Sequence, residues 1–258
     1  MRHHRHSLIL LLCLWMTRSV YLFGQDPWRA GEKLTYSVKW SFIRLGTLRM
    51  SLEDTTWTNG ESVYLARITA DSDPRLTIFS HNSLNETCFT KDCRPLLFRC
   101  NETENGKAYH AEYRFSQSDS LIYVDLFDED TSPQQLNKTI PLEDQLYDGA
   151  TLLYLIRRWS LSTGIDTVRH IDDGNIERII LDVQGPRGSV RSKELGGKID
   201  VVFMEGRLLS KGMAGLTGQF KIWLSGDDRR VPLRAEVRML IGTVTLNLES
   251  WEGWEPAG

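Results

Sequence analysis

A chain of 258 residues, 41% hydrophobic and 25% charged, has the composition of a globular protein and is long enough for one large β domain or two small ones. Its formal net charge of -3 lacks the basic footprint that a nucleic-acid partner leaves, so no nucleic acid is expected.

The N-terminus has the layout of a secretory signal peptide. A cationic start from Arg2 to His6 precedes a short apolar core, Ser7 to Met16, and Thr17 to Gly24 ends on a small residue. Leu8 to Met16 is too short to span a bilayer, and Arg18 interrupts any extension. The expected organisation is a signal peptide over 1–24 and a single β-rich domain over 25–258; an uncleaved anchor is the alternative. Cys13 follows Leu12, where a lipidation site needs a small residue. Cleavage removes Arg2, Arg5 and Arg18 and no acid, which leaves the mature chain at -6. Cys88, Cys93 and Cys100 remain, and an odd number in an exported protein reads as one disulfide plus one free thiol. Cys88 and Cys93 flank a four-residue turn and are the expected pair, with Cys100 free. A three-cysteine zinc site lacks a histidine at ligand spacing.

Past a short leader, Glu32 to Phe42 alternates apolar and polar residues, the period of a strand, and the alternation resumes after Gly46 through Leu48, Met50 and Leu52. Asn59-Gly60 marks a hairpin into Val63–Ala70. Arg75 to Ser80 reads as one helical turn. Strands follow over Asn82–Phe89, Pro95–Glu102, Lys107–Phe115 and Ser120–Phe127, and the polar run Asp128–Lys138 reads as a loop. Leu142 to Trp159 breaks the rhythm, with Leu146, Ala150, Leu153, Ile156 and Trp159 at helical spacing. Glu143 and Asp144 suit its start and Arg157 and Arg158 its end, while Gly149 costs it about 1 kcal/mol relative to alanine. Strands resume over Val168–Ile171 and Ile176–Val183, turn at Gly185–Gly188, and continue over Val190–Lys193 and Ile199–Met204. Gly206 to Gly218 reads as a loose connection. The last stretch, Phe220 to Trp251, is a three-strand antiparallel meander with turns at Ser225–Asp228 and Gly242. The fold class is therefore mainly β: a single antiparallel β-barrel or sandwich of about a dozen short strands, with one amphipathic helix packed on the sheet, Leu153 and Ile156 facing the final meander. Leu45–Glu53 echoes Ile241–Glu249. Either amphipathic strands after a glycine simply look alike, or the first and last hairpins are equivalent and meet to close the sheet.

Local catalytic signatures are missing. His81, His110 and His170 form no metal pair at a recognisable spacing, and neither a nucleophile elbow nor a phosphate or dinucleotide loop appears. No catalytic residue, metal or cofactor is expected. Asp227–Arg230 is the densest charge cluster; it reads as a solvated turn with local ion pairs, with a cation or anion grip as the sharper alternative. Trp223 falls on the polar face of its strand, where an aromatic stacks on a sugar, edges a lipid pocket, or packs beneath the helix. With Tyr154 and Trp159 on the helix, it makes the candidate ligand-binding set.

Gly31–Val38, Leu45-Gly46-Thr47, Asp148-Gly149-Ala150, the run Ile222–Arg234 and the ending Ile241–Val244 resemble the family called domain of unknown function 3108, over roughly Gly31 to Trp251. Gly226 departs from the aspartate usual there. The resemblance implies an exported bacterial protein and supplies no catalytic residues. The expected function is an exported, non-enzymatic protein of the periplasm or outer envelope that binds a lipid, glycolipid or other amphipathic molecule under the helix. An envelope structural or assembly factor that binds protein or polysaccharide is the alternative, and a cell-wall hydrolase the third. The sequence does not specify the oligomeric state. Terminal sequencing of envelope material should find a chain that begins near Gln25; a start at Met1 or Arg2 would point to the anchor instead.

Overall fold

A computed structural model describes residues 26–77, 79–209, 216–239 and 241–256. The segment read as a signal peptide lies outside the described residues, as do residues 210–215; the rest of the connection expected between Gly206 and Gly218 belongs largely to two strands. The first arm of the fold is a meander of eight strands: β1 Lys33–Trp40, β2 Ile43–Thr56, β3 Ser62–Ser72, β4 His81–Phe89, β5 Pro95–Glu104, β6 Lys107–Ser116, β7 Leu121–Asp128 and β8 Gln135–Pro141. Then come β9 Leu146–Asp148 and α1 Gly149–Trp159. The second arm comprises β10 Gly164–Asp172, β11 Asn175–Ser192, β12 Gly197–Leu208, β13 Leu216–Ser225, β14 Pro232–Met239 and β15 Thr243–Glu252.

All fifteen strands form one sheet in the order β8-β7-β6-β5-β4-β3-β2-β1-β15-β14-β13-β12-β11-β10-β9. Neighbours are antiparallel except β9, which runs parallel to β10. The two meanders are spliced where the first strand pairs the last, and Tyr36 on β1 lies between Leu48 on β2 and Leu248 on β15. The first and last strands thus meet at the centre of the sheet, and the two echoing segments lie on the strands that flank β1.

The sheet curls around α1, which packs on β3 and β4 of one arm and on β9 and β10 of the other. The tip of the β10–β11 hairpin reaches the first arm: Gly174 N–H donates to the Tyr113 hydroxyl at 3.2 Å, and the Tyr109 hydroxyl donates to Asp173 Oδ1 at 3.3 Å. No ladder joins β8 to β9. The architecture is therefore barrel-like with an unsealed seam, and one hydrophobic cluster drawn from both arms and the helix fills much of it. The curl brings backbones close at Gly46, where a Cβ would sit 2.1 Å from the Asp71 carbonyl oxygen.

The helix is shorter than its apolar spacing predicts. Asp148 ends β9 in extended conformation, and its Oδ1 accepts from the Ala150 and Thr151 backbone N–H groups at 2.9 and 2.8 Å, so the helix starts at Gly149. Gly149 therefore occupies the first turn rather than the interior, and Glu143 and Asp144 lie outside the helix. Its other Oδ accepts from Thr151 and from Thr87 on β4, which fastens the cap to the sheet. Because α1 lies inside the curl, most of its surface is buried, and its neighbours are β3, β4, β9 and β10 rather than the final meander.

Three further expectations change. Gln135–Pro141 is an edge strand, hidden in the sequence because both its faces are largely exposed and polar. Among the described residues of 75–80 there is no helix. Strand β11 passes through Gly185–Gly188, absorbing the glycines as register shifts against β12. The cysteine pairing is also corrected: Cys88, Cys93 and Cys100 are all free. Thr87 and Phe89 are buried on the inner face of β4, so alternation turns the half-buried Cys88 outward while Cys93 is buried in the core.

At the end of α1, Arg157 is fully buried. Its guanidinium donates to both carboxylate oxygens of Glu32, to the Pro27 carbonyl at 2.9 Å and to the Arg229 carbonyl at 2.8 Å. Arg229 approaches the same Glu32 at 2.6 Å and donates to the Pro27 and Gly253 carbonyls, each at 3.0 Å. Burial alone would lower the pKa of Arg157, but the Glu32 carboxylate more than offsets it and raises it. Glu32→Gln leaves two guanidinium groups without their counter-charge and should lower the unfolding free energy by roughly 3–5 kcal/mol. Breaking the exposed Lys33–Glu252 pair should leave the urea midpoint near that of the parent protein. Asp148→Ala should cost roughly 0.5–2 kcal/mol, and Asp148→Asn, which still caps, less.

Candidate functional site

Curling fifteen strands around one helix leaves a half-enclosed cavity of about 790 Å³ at one end of the fold, within the roughly 300–1,000 Å³ range of small-molecule sites. Its floor is the first turns of α1, from Gly149 to Leu153, and its walls come from β3 to β6 on one side and β10 to β12 on the other. Ile68, Phe98, Ala111, Leu152, Ile171 and Ile179 make the interior apolar. Cross-strand register sets the layers above them. Cys100 lies opposite Ala111, then Glu102 opposite Tyr109, then Glu104 opposite Lys107 at the top. Across the opening, His170 lies one layer below Asp172 on β10, and Asp173 follows in the hairpin tip.

The chemistry changes with depth. His170 is buried, and its Nδ1 has no hydrogen-bond partner. Burial lowers its pKa, although Asp172 and Glu177 pull the other way, so the ring is neutral at pH 7. Asp172 is raised above the ordinary carboxylate value by desolvation, opposed by His170 and reinforced by Asp173 and Glu177. The Cys100 thiol is pushed up to about 12 by burial and by the nearby charges of Glu102 and Asp172. Tyr113 is likewise raised to about 12, chiefly by burial. These groups hydrogen-bond and attract charge; nothing here pairs an activated nucleophile with a base.

The three aromatic residues singled out in the sequence do not meet. Tyr154 is buried in the core, with ring centroids 5.5 Å from Trp28 and 5.3 Å from Phe89. Trp159 lines a second recess of about 650 Å³ at the opposite end, with Tyr147, Leu155, Ile165 and Val183. Trp223 alternates with the inward Ile222 and Leu224, so it lies on the outer face, 5.3 Å from Phe203 and under the Arg234 guanidinium at 5.4 Å. Leu153, placed by its spacing against the final meander, lines the main cavity instead.

Sequence spacing also missed His81, Glu102 and Glu104, whose ligand atoms lie within 4.8 Å of one another. Strand register brings them together, since His81 pairs with Glu104 across β4 and β5. Among the described residues no other such group occurs. The charged turn, by contrast, is architectural. Asp227 accepts from Ser225 Oγ at 2.6 Å, from the Arg229 backbone at 3.1 Å and from Trp254 Nε1 at 2.8 Å, which ties the turn to the C-terminal segment. Gly226 fits because a Cβ there would come within 3.0 Å of the Asp200 carbonyl oxygen.

The family described as "Protein of unknown function (DUF3108)" matches residues 35–249. No curated protein matches the chain. Among solved structures, a beta-barrel-like protein of the DUF1849 domain from Brucella abortus superimposes with a TM-score of 0.55 at 11% identity, over 86% of this chain and 96% of that one, which shows a shared fold. A putative exported protein with YmcC-like fold from Bacteroides fragilis scores 0.34 at 10% identity, over 87% and 96% of the two chains. A putative lipoprotein from Parabacteroides distasonis scores 0.32 at 9% identity, over 89% and 97%. Neither of these two likenesses is close enough to bear on the site.

The thiols give a direct check on this geometry. Cys93, like Cys100, is pushed up to about 12 by burial, and thiolate is the reactive form. In the native protein at about pH 8, iodoacetamide should modify neither Cys93 nor Cys100, whereas in denaturant without reductant all three cysteines should react. Intact mass that shows a disulfide would contradict the outward placement of Cys88.

Proposed function

The chain belongs to the DUF3108 family, and we propose that it is an exported, non-enzymatic protein of the periplasm or outer envelope that binds or carries a lipid or similar amphipathic molecule. The observation that supports this most is the cavity: an apolar interior under a charged rim, floored by a helix that the core holds in place. An amphiphile matches that gradient, with its chain among Phe98, Leu152, Ile179 and their neighbours and its head at the opening. The signal-peptide layout of residues 1–24 supports export.

A second reading, a structural or assembly factor, draws on the outer face, where Trp223, Phe203, Arg187 and Arg234 form an aromatic and cationic patch. A third, hydrolysis of a wall polymer, draws on the carboxylates around the rim. The half-enclosed, helix-floored shape suits a chain end better than a continuous polymer, and His110 is exposed and bonded to Asn101 at 2.8 Å.

Native mass spectrometry of protein purified from its own envelope should detect a bound amphiphile. Leu153→Trp, which fills the cavity from a half-buried position, should keep the circular dichroism spectrum and lose the adduct. An adduct retained at parent level by that variant, or none on the parent protein, would reject the reading.

A further inference from the structure

The cavity's opening carries a strongly one-sided charge. Glu102, Glu104, Asp128, Asp130, Asp172 and Asp173 all line it, against Lys107 as the sole lysine or arginine of the lining. Lys107 is already engaged with Asp130. Among the described residues, no lysine or arginine makes an ion pair with Glu102, Glu104, Asp128, Asp172 or Asp173, although such pairs are common elsewhere on this sheet. Glu102 has only the His81 ring, at 3.6 Å. Six carboxylates set against one lysine, gathered over a partly desolvated opening, hold a local negative potential that favours a cation and repels an anion.

His170 supplies an independent observation. It lies in the cavity wall one layer beneath these carboxylates, is only 7% exposed, and its Nδ1 is unpartnered. A buried polar atom without a partner costs free energy that a donor from a ligand relieves. With its proton on Nε2, the neutral ring offers Nδ1 as an acceptor, and an ammonium group carries only donors. Carboxylates above and an acceptor beneath therefore ask the same thing of a guest: positive charge and N–H donors.

We propose that the cavity selects an amphiphile with an amine-bearing, cationic head group, held at the opening between Glu102 and Asp172 and above His170, with its apolar chain toward the α1 floor. This rests on the reading of the cavity as an amphiphile site and gives that site its head-group chemistry. Glu102, Asp172 and the buried Cys100 thiol all line this opening.

Three probes of equal chain length test it: dodecylamine, dodecanol and dodecanoate, each below its micelle concentration, displacing a fluorescent apolar dye from the mature full-length protein at neutral pH in EDTA. Dodecylamine should bind about tenfold tighter than dodecanoate, with dodecanol between them. Glu102→Gln combined with Asp172→Asn, both at the rim, should bring amine and carboxylate within about twofold of each other. Dodecanoate binding as tightly as the amine would overturn the head-group assignment while leaving the amphiphile reading intact. So would a preference that survives the double variant. Dodecanoate favoured once zinc replaces EDTA would assign the rim to a metal bridge through His81, Glu102 and Glu104, and would likewise overturn direct selection of an amine. If none of the three probes displaces the dye, the amphiphile reading falls and the head-group assignment with it.

Discussion

The fold depends on one buried charge cluster. Glu32 precedes the first strand, Arg157 ends the only helix among the described residues, and Arg229 lies in the turn before β14. Two guanidinium groups around one carboxylate leave no slack, because each remaining donor must find a carbonyl, and those carbonyls belong to Pro27, Arg229 and Gly253. The cluster therefore ties the entry of the chain, the helix, the turn into β14 and the C-terminal segment to one point. A hydrophobic replacement of similar volume would stabilise the fold as well or better. What the ionic version adds is direction: it fixes which way the helix end points, and so where the other end of the helix stands beneath the cavity.

The opposite end of α1 is held by different means. Asp148 is fully buried, and desolvation raises its pKa against the lowering effect of hydrogen bonds from Thr151, Thr87 and the helix backbone. It caps the helix and pins it to β4 at once. With a salt-bridged end and a capped end both locked to the sheet, α1 is a fixed floor rather than a lid. The apolar interior and the charged opening are then set by register, since each step along β5 and β6 moves one layer toward solvent: Phe98, Cys100, Glu102, Glu104.

Much of this is legible in the sequence because most strands have one wet and one dry face, and period-two alternation reports that difference. The final meander, the hairpin at Asn59-Gly60 and the β rhythm follow directly. Strand β8 is illegible because an exposed edge has no dry face to mark. Period 3.6 marks one apolar stripe on the helix, yet an element inside a curled sheet is buried nearly all round; thus Tyr154 is core, and Arg157, an ordinary basic residue at a helix end by sequence, is fully buried. The cavity leaves no local trace. Glu102, His170 and Leu153 belong to separate elements, and only the curl brings them into one enclosure. The cysteine expectation counted residues across a turn without the face that each strand position dictates, and alternation sends Cys88 away from Cys93.

The unsealed seam between β8 and β9 gives this molecule a property that a closed barrel lacks. In a closed barrel, strand number and shear fix the circumference, and the interior can grow only by rupture of backbone ladders. Here, beside the core that both arms share, the hairpin tip is joined to β6 by a clasp of two hydrogen bonds, Tyr109 to Asp173 and Gly174 to Tyr113, each worth roughly 0.5–1.5 kcal/mol. Undoing that clasp lets the hairpin tip swing away from β6 with every strand pairing intact. Under the proposed function, this seam lets the enclosure adjust to guests of unequal bulk, and the hairpin at the seam carries two of the rim carboxylates, Asp172 and Asp173.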